Sequence, residues 1–158
     1  MHRAPLKLRP GHRRWLYVCS ALLLVSGIGW LIVHYFLQGP SDFPEAPHPS
    51  EAWWLRLHGA AAMGFLIALG GVLTHHVRSG WRQHLNRSSG IVNIVVAVAL
   101  ALTAYGLYYI GDDRMRTMVS STHWIIGLIA AAALPLHIML GRRQTSLLER
   151  TRDGRARE

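Results

Sequence analysis

The sequence predicts an all-α integral membrane protein, a four-helix bundle with both termini inside. Three observations predict it. Apolar residues make up 51 % of the 158-residue chain, while its charges gather at the termini and in short connectors. Four apolar stretches remain, Trp15–Leu37, Trp53–Val77, Ile91–Ile110 and Thr122–Leu140. Each comes close to or exceeds the roughly 20 residues that carry a helix across the hydrocarbon core. None shows the period-2 alternation of a barrel strand, and only helices or closed barrels satisfy the backbone in lipid.

Charge orients the spans. The formal net charge is +9, and 14 of the 17 Lys and Arg residues fall in residues 1–14, 77–90 and 141–158. Lys and Arg beside membrane spans mark the cytoplasmic side. The connector Gln38–Ala52 has three acids and no Lys or Arg, so it and Gly111–Ser121 are placed outside. This distribution excludes a nucleic-acid interface, which would cluster its basic residues on one folded polar face. The single cysteine, Cys19, excludes an internal disulfide and a Cys-x-x-Cys-His haem attachment.

Residues 1–14 read as a basic, disordered cytoplasmic leader broken by Pro5, Pro10 and Gly11. The apolar run behind them is too long for a typical signal h-region and lacks an A-x-A-like cleavage site, which predicts an uncleaved span. In the first helix, Trp15, Tyr17 and Trp30 suit the interfaces, and Ser26, Gly27 and Gly29 allow close helix contact. His34 reads first as an interfacial histidine and second as a proton-relay group or alternative ligand. Four prolines forbid regular structure between Gln38 and Ala52, and His48 there reads as solvent-exposed.

The second helix opens on Trp53 and Trp54 and carries His58, His75 and His76. A basic connector follows, with His84 at its surface. The third helix has no histidine; Asn93 and Thr103 are its polar residues. Asn93 is a candidate for a cross-helix or quinone hydrogen bond, with a nearby backbone carbonyl the stronger reading. The fourth helix has Ser120, Ser121 and Thr122 as capping candidates, carries His123 and His137, and should kink at Pro135. Residues 142–158 form a charged cytoplasmic tail.

The histidines carry the functional reading, because ionisable side chains within membrane spans are costly and mark functional sites by default. A helix turns about 100° and rises about 1.5 Å per residue. His58 and His76, 18 residues apart, therefore share a face, while His75 points about 100° away and stands as the alternative. His123 and His137, 14 residues apart, also share a face. With both termini inside, the second and fourth helices run in the same sense. His58 and His123 then lie near the outer surface, and His76 and His137 near the inner. Facing neutral imidazoles are the axial ligands of a six-coordinate haem. The vertical spacings are about 27 Å and about 21 Å, a mismatch for tilt and the Pro135 kink to absorb. Gly64 and Gly127 are candidates for making room for a porphyrin. Arg56 and Arg116 at the outer site, and Arg78 and Arg142 at the inner, are candidates for its propionates. A zinc centre fits less well, since zinc gathers its ligands in one cluster.

On His58, on Thr74-His75-His76, on His123 with Gly127, and on His137 with Gly141-Arg142-Arg143, the chain resembles the prokaryotic dihaem cytochrome b superfamily. That group includes the cytochrome b subunits of nickel–iron hydrogenases, the gamma subunit of formate dehydrogenase and small bacterial quinol-oxidising cytochromes. The likeness spans about residues 15–141. It implies two bis-histidine b haems in a four-helix core of the bacterial inner membrane, and electron exchange with quinone and a periplasmic redox protein or partner subunit. An electron-transfer subunit is expected rather than a stand-alone enzyme. The chain departs from the family in its 18-residue ligand spacing on the second helix and in having no obvious quinone motif. The competing expectation is a haem-free or single-haem membrane anchor of a redox complex.

Overall fold

The computed structural model describes residues 10–37, 46–73 and 87–155. Among them are four helices and no strand: α1 (Pro10–Phe36), α2 (Glu51–Val72), α3 (Arg87–Tyr109) and α4 (Asp113–Arg155). Each contains a segment long and apolar enough to cross a membrane: Pro10–Phe36, Glu51–Val72, Ser88–Tyr109 and Asp113–Gly141. The protein is an all-α, multi-pass membrane protein, as its composition predicts. The helices pack as two units, α1 against α2 and α3 against α4.

In the first unit the seam combines small residues with Leu16, Val33 and Val72. Cys19, Ser26 and Val33 of α1 are buried at seven-residue intervals, as are Ala61 and Ala68 of α2. A seven-residue repeat keeps one stripe facing its partner along a left-handed helix pair. Lipid is as apolar as leucine, so close packing and hydrogen bonds hold such helices together. The expected small-residue approach is present: a Cβ on Gly29 would meet the Trp54 ring at 2.6 Å, and Gly71 lies against His12. Polar ties run along the same antiparallel register. His12 Nε2 donates to the Ala68 carbonyl at 2.7 Å, and Trp15 Nε1 donates to Gly64 at 3.0 Å. At the other end His34 Nδ1 meets Glu51 Oε1 at 2.9 Å, with the Trp30 ring stacked on His34.

In the second unit, α3 and α4 are joined by the short turn Ile110-Gly111-Asp112. Gly106 faces Ile110 and Val119 beside this turn. Away from both seams the helices present large apolar side chains, among them Val25 and Ile32 on α1, Ile67 on α2, Leu102 on α3 and Ile129 on α4. Hydrocarbon, not water, suits those faces.

Several boundaries differ from the sequence reading. α1 begins at Pro10, inside the stretch expected to be disordered. Proline suits the first helical position, where its missing N–H costs nothing, and His12 and Trp15 tie this turn to α2. α4 begins at Asp113 rather than Thr122. Asp112 Oδ1 accepts the Met115 N–H at 2.8 Å, so this aspartate caps the helix instead of Ser120, Ser121 or Thr122. α4 then runs without interruption through Pro135 and to Arg155, into the expected tail. His48 is half-buried, not solvent-exposed: its Nδ1 accepts the Ser50 N–H at 3.2 Å at the start of α2. Trp53 is exposed, whereas Trp54 packs on Gly29.

Candidate functional site

Three of the four preferred ligand histidines lie among the described residues, and all three make the same contact. Each turns its Nδ1 toward a hydroxyl on the neighbouring helix of its own pair. Ser26 Oγ on α1 lies 3.0 Å from His58 Nδ1 on α2. Thr103 Oγ1 on α3 lies 2.8 Å from His123 Nδ1 on α4, and Ser89 Oγ on α3 lies 2.9 Å from His137 Nδ1. His76, its alternative His75, and Arg78 fall outside the described residues, as does the side chain of Arg142.

Local sequence explains these contacts. A lone Ser or Thr in an apolar helix bonds back to a carbonyl one turn earlier. Ser26 does so to Leu22 at 2.6 Å, and Thr103 to Ala99 at 2.8 Å. That bond leaves the hydroxyl oxygen pointing across the seam. A glycine stands beside two of the three hydroxyls, Ser26 and Ser89, at ordinary contact distance from the histidine ring. A Cβ on Gly27 would come within 3.4 Å of His58 Cε1, and one on Gly90 within 3.8 Å of His137 Cε1. The pairs Ser26-Gly27 and Ser89-Gly90 thus stand beside their histidines in the same way, once in each unit.

The two contacts in the second unit share one register. Ser89 to Thr103 is 14 residues along α3, and His123 to His137 is 14 along α4. Both helices therefore advance about 21 Å between contacts. The 14-residue spacing read from the sequence as a ligand pattern is also the spacing of the hydroxyls opposite.

The remaining candidates separate by position. A Cβ on Gly127 would meet nothing within 4 Å, so the face one turn beyond His123 is open within its unit. Gly64 does not line an open face: its Cβ position is 3.0 Å from Cys19 Sγ, and it belongs to the α1–α2 seam. Arg56 is exposed, with its guanidinium 5.0 Å from the centre of the Trp53 ring. Two residues from His58, it points to another side of α2. Arg116, seven residues before His123, is about two turns away on the same face of α4, about 10 Å along the axis. Asn93 donates to the Ser89 carbonyl of its own helix at 2.8 Å, the stronger of its two readings. His34 is engaged with Glu51.

The residues present fit an axial haem ligand by donor chemistry. A ligating histidine characteristically has its second ring nitrogen held by a hydrogen bond that sets tautomer and ring orientation. No cluster of three or more His, Cys, Asp or Glu suited to a metal ion occurs among the described residues. Sequence reading missed Ser89 altogether and took Ser26 only as a packing residue. The signal that finds both is a hydroxyl followed by glycine on the helix before each histidine helix. No family model, curated protein or solved structure matches the chain.

Proposed function

We propose that the protein is a b-type cytochrome of the bacterial inner membrane, similar to the dihaem cytochrome b superfamily, carrying electrons between quinone and a redox partner. In this reading His58 and His123 hold the outer haem, and His76 and His137 hold the inner one. The observation that carries it is the recurrent contact: each described candidate ligand has Nδ1 held by a hydroxyl of the neighbouring helix. Such anchoring is what an iron-bound imidazole uses to keep its orientation. The open face at Gly127 gives further support, and Arg116 is the outer cation best placed for a propionate. A bound haem would supply the one-electron chemistry, with the protein supplying position and electrostatics. The excess of Lys and Arg at both ends of the chain supports termini on the cytoplasmic side.

The test is the haem content of protein purified after haem-replete expression, together with a reduced-minus-oxidised spectrum. Two haems per chain and a b-type signal are expected, and His123→Ala should remove one haem. One haem per chain would replace this reading with the single-haem form. A preparation without a b-type signal would leave the haem-free anchor, whose histidine–hydroxyl bonds would serve only to hold helices together.

A further inference from the structure

We infer that Ser26 and Thr103 are positioning residues that fix His58 and His123 as the Nδ1–H tautomer and so direct Nε2 to be the ligating atom. The inference rests on the cytochrome reading for its consequence, but its structural half stands by itself.

A hydroxyl has one hydrogen to donate and lone pairs that accept. Ser26 Oγ lies 2.6 Å from the Leu22 carbonyl and 3.2 Å from the Leu23 carbonyl. Thr103 Oγ1 lies 2.8 Å from the Ala99 carbonyl and 3.1 Å from the Leu100 carbonyl. A carbonyl oxygen can only accept, so the hydroxyl hydrogen is committed along its own helix. The hydroxyl oxygen can then only accept from the ring, at 3.0 Å for His58 and 2.8 Å for His123. Nδ1 must be the donor in each case. A neutral imidazole with its proton on Nδ1 carries its lone pair on Nε2.

The consequence is electronic as well as geometric. A hydrogen bond donated by Nδ1 raises the basicity of Nε2 toward a metal. A serine or threonine oxygen is a neutral acceptor, so it orients the ring without drawing the proton away as a carboxylate would. Loss of the acceptor removes the bond that selects the Nδ1–H form. It should also weaken electron donation to iron and favour the reduced state.

The test uses full-length protein in detergent or bilayers. In haem-free protein, nitrogen-15 NMR of the rings should show the Nδ1–H tautomer for His58 and His123. Ser26→Ala should convert His58, and Thr103→Val His123, to a mixture, while Ser26→Thr and Thr103→Ser retain the wild-type form. In haem-loaded protein the Ala and Val variants should bind the outer haem roughly 10–100-fold more weakly. They should also raise its midpoint potential and leave the inner haem's unchanged, with the conservative variants restoring both. Wild-type protein with an Nε2–H tautomer overturns the inference. So does wild-type protein that binds haem while Ser26→Ala and Thr103→Val keep its affinity and potential. Wild-type protein that binds no haem overturns the cytochrome reading instead, and the tautomer measurement then decides the structural half alone.

Discussion

Thr103 and His123 meet across the α3–α4 seam with 2.8 Å between Oγ1 and Nδ1. The threonine hydroxyl is tied in the other direction to the Ala99 carbonyl of its own helix. One side chain therefore links the α3 backbone to the histidine ring. Interhelical bonds of this kind within membranes average about 0.6 kcal/mol and reach about 1.7 kcal/mol. Thr103→Val keeps the shape and removes the oxygen. It should lower the stability of the protein by an amount in that range, measured by reversible unfolding in mixed detergent, and Thr103→Ser should cost less. Equal stabilities for wild type and the valine variant would show that the bond contributes nothing to folding.

Close approach in the first unit depends on the absence of a side chain at Gly29. A Cβ there would sit 2.6 Å from the Trp54 ring, so Gly29→Ala must displace either the indole or the helix. Overpacking of this kind typically costs about 1–3 kcal/mol. Gly70 is the control, since a Cβ there meets nothing within 4 Å. Gly70→Ala should be neutral or stabilising by up to about 1 kcal/mol, because alanine loses less freedom in a helix. Thermal unfolding of both variants in one detergent compares them directly; equal losses would contradict the tight contact.

Asp112 sets the start of α4 through its bond to the Met115 N–H. Asp112→Ala should cost about 1 kcal/mol, concentrated in the first turn of the helix. Amide hydrogen exchange should show faster exchange at Met115 and Arg116, with the span around His123 unaffected. Asp112→Asn keeps an accepting oxygen and should preserve most of the protection. Unchanged exchange in the alanine variant would assign the cap to another group.

The His34–Glu51 pair looks strong at 2.9 Å, yet the His34 side chain is 42 % exposed. Exposed ion pairs contribute only about 0–1 kcal/mol, since solvent screens them and two side chains must be held in place. Glu51→Gln should therefore change stability by less than about 1 kcal/mol in the same unfolding assay. A larger loss would mean that the pair does more than join the ends of α1 and α2.

Much of the candidate site was legible in the sequence, and the part that was not has a common cause. His58, His123 and His137 stand out because an ionisable group in an apolar helix is expensive wherever the helix goes. Their hydroxyl partners do not stand out, because Ser and Thr satisfy themselves on their own helix and cost little. Ser26 could be seen as small but not as an acceptor, and Ser89 sat beside a basic connector with nothing to distinguish it. Gly64 and Gly127 could not be told apart for a related reason. One glycine in an apolar run looks like another, and only packing separates Gly64, which faces Cys19, from Gly127, which faces open space.

The sequence by itself determined that this chain has four long apolar helices, because hydropathy and length are local properties and the bilayer leaves few other options for the backbone. It also determined the 14-residue phase of His123 and His137, since a helix fixes direction by counting residues. The tertiary structure decided what each ring nitrogen meets, which glycines admit a neighbour, and where α1 and α4 begin. Those depend on the register between helices, and a register belongs to two segments at once. His58 could be numbered from the sequence; that Ser26 holds its Nδ1 required α1 and α2 to be laid side by side.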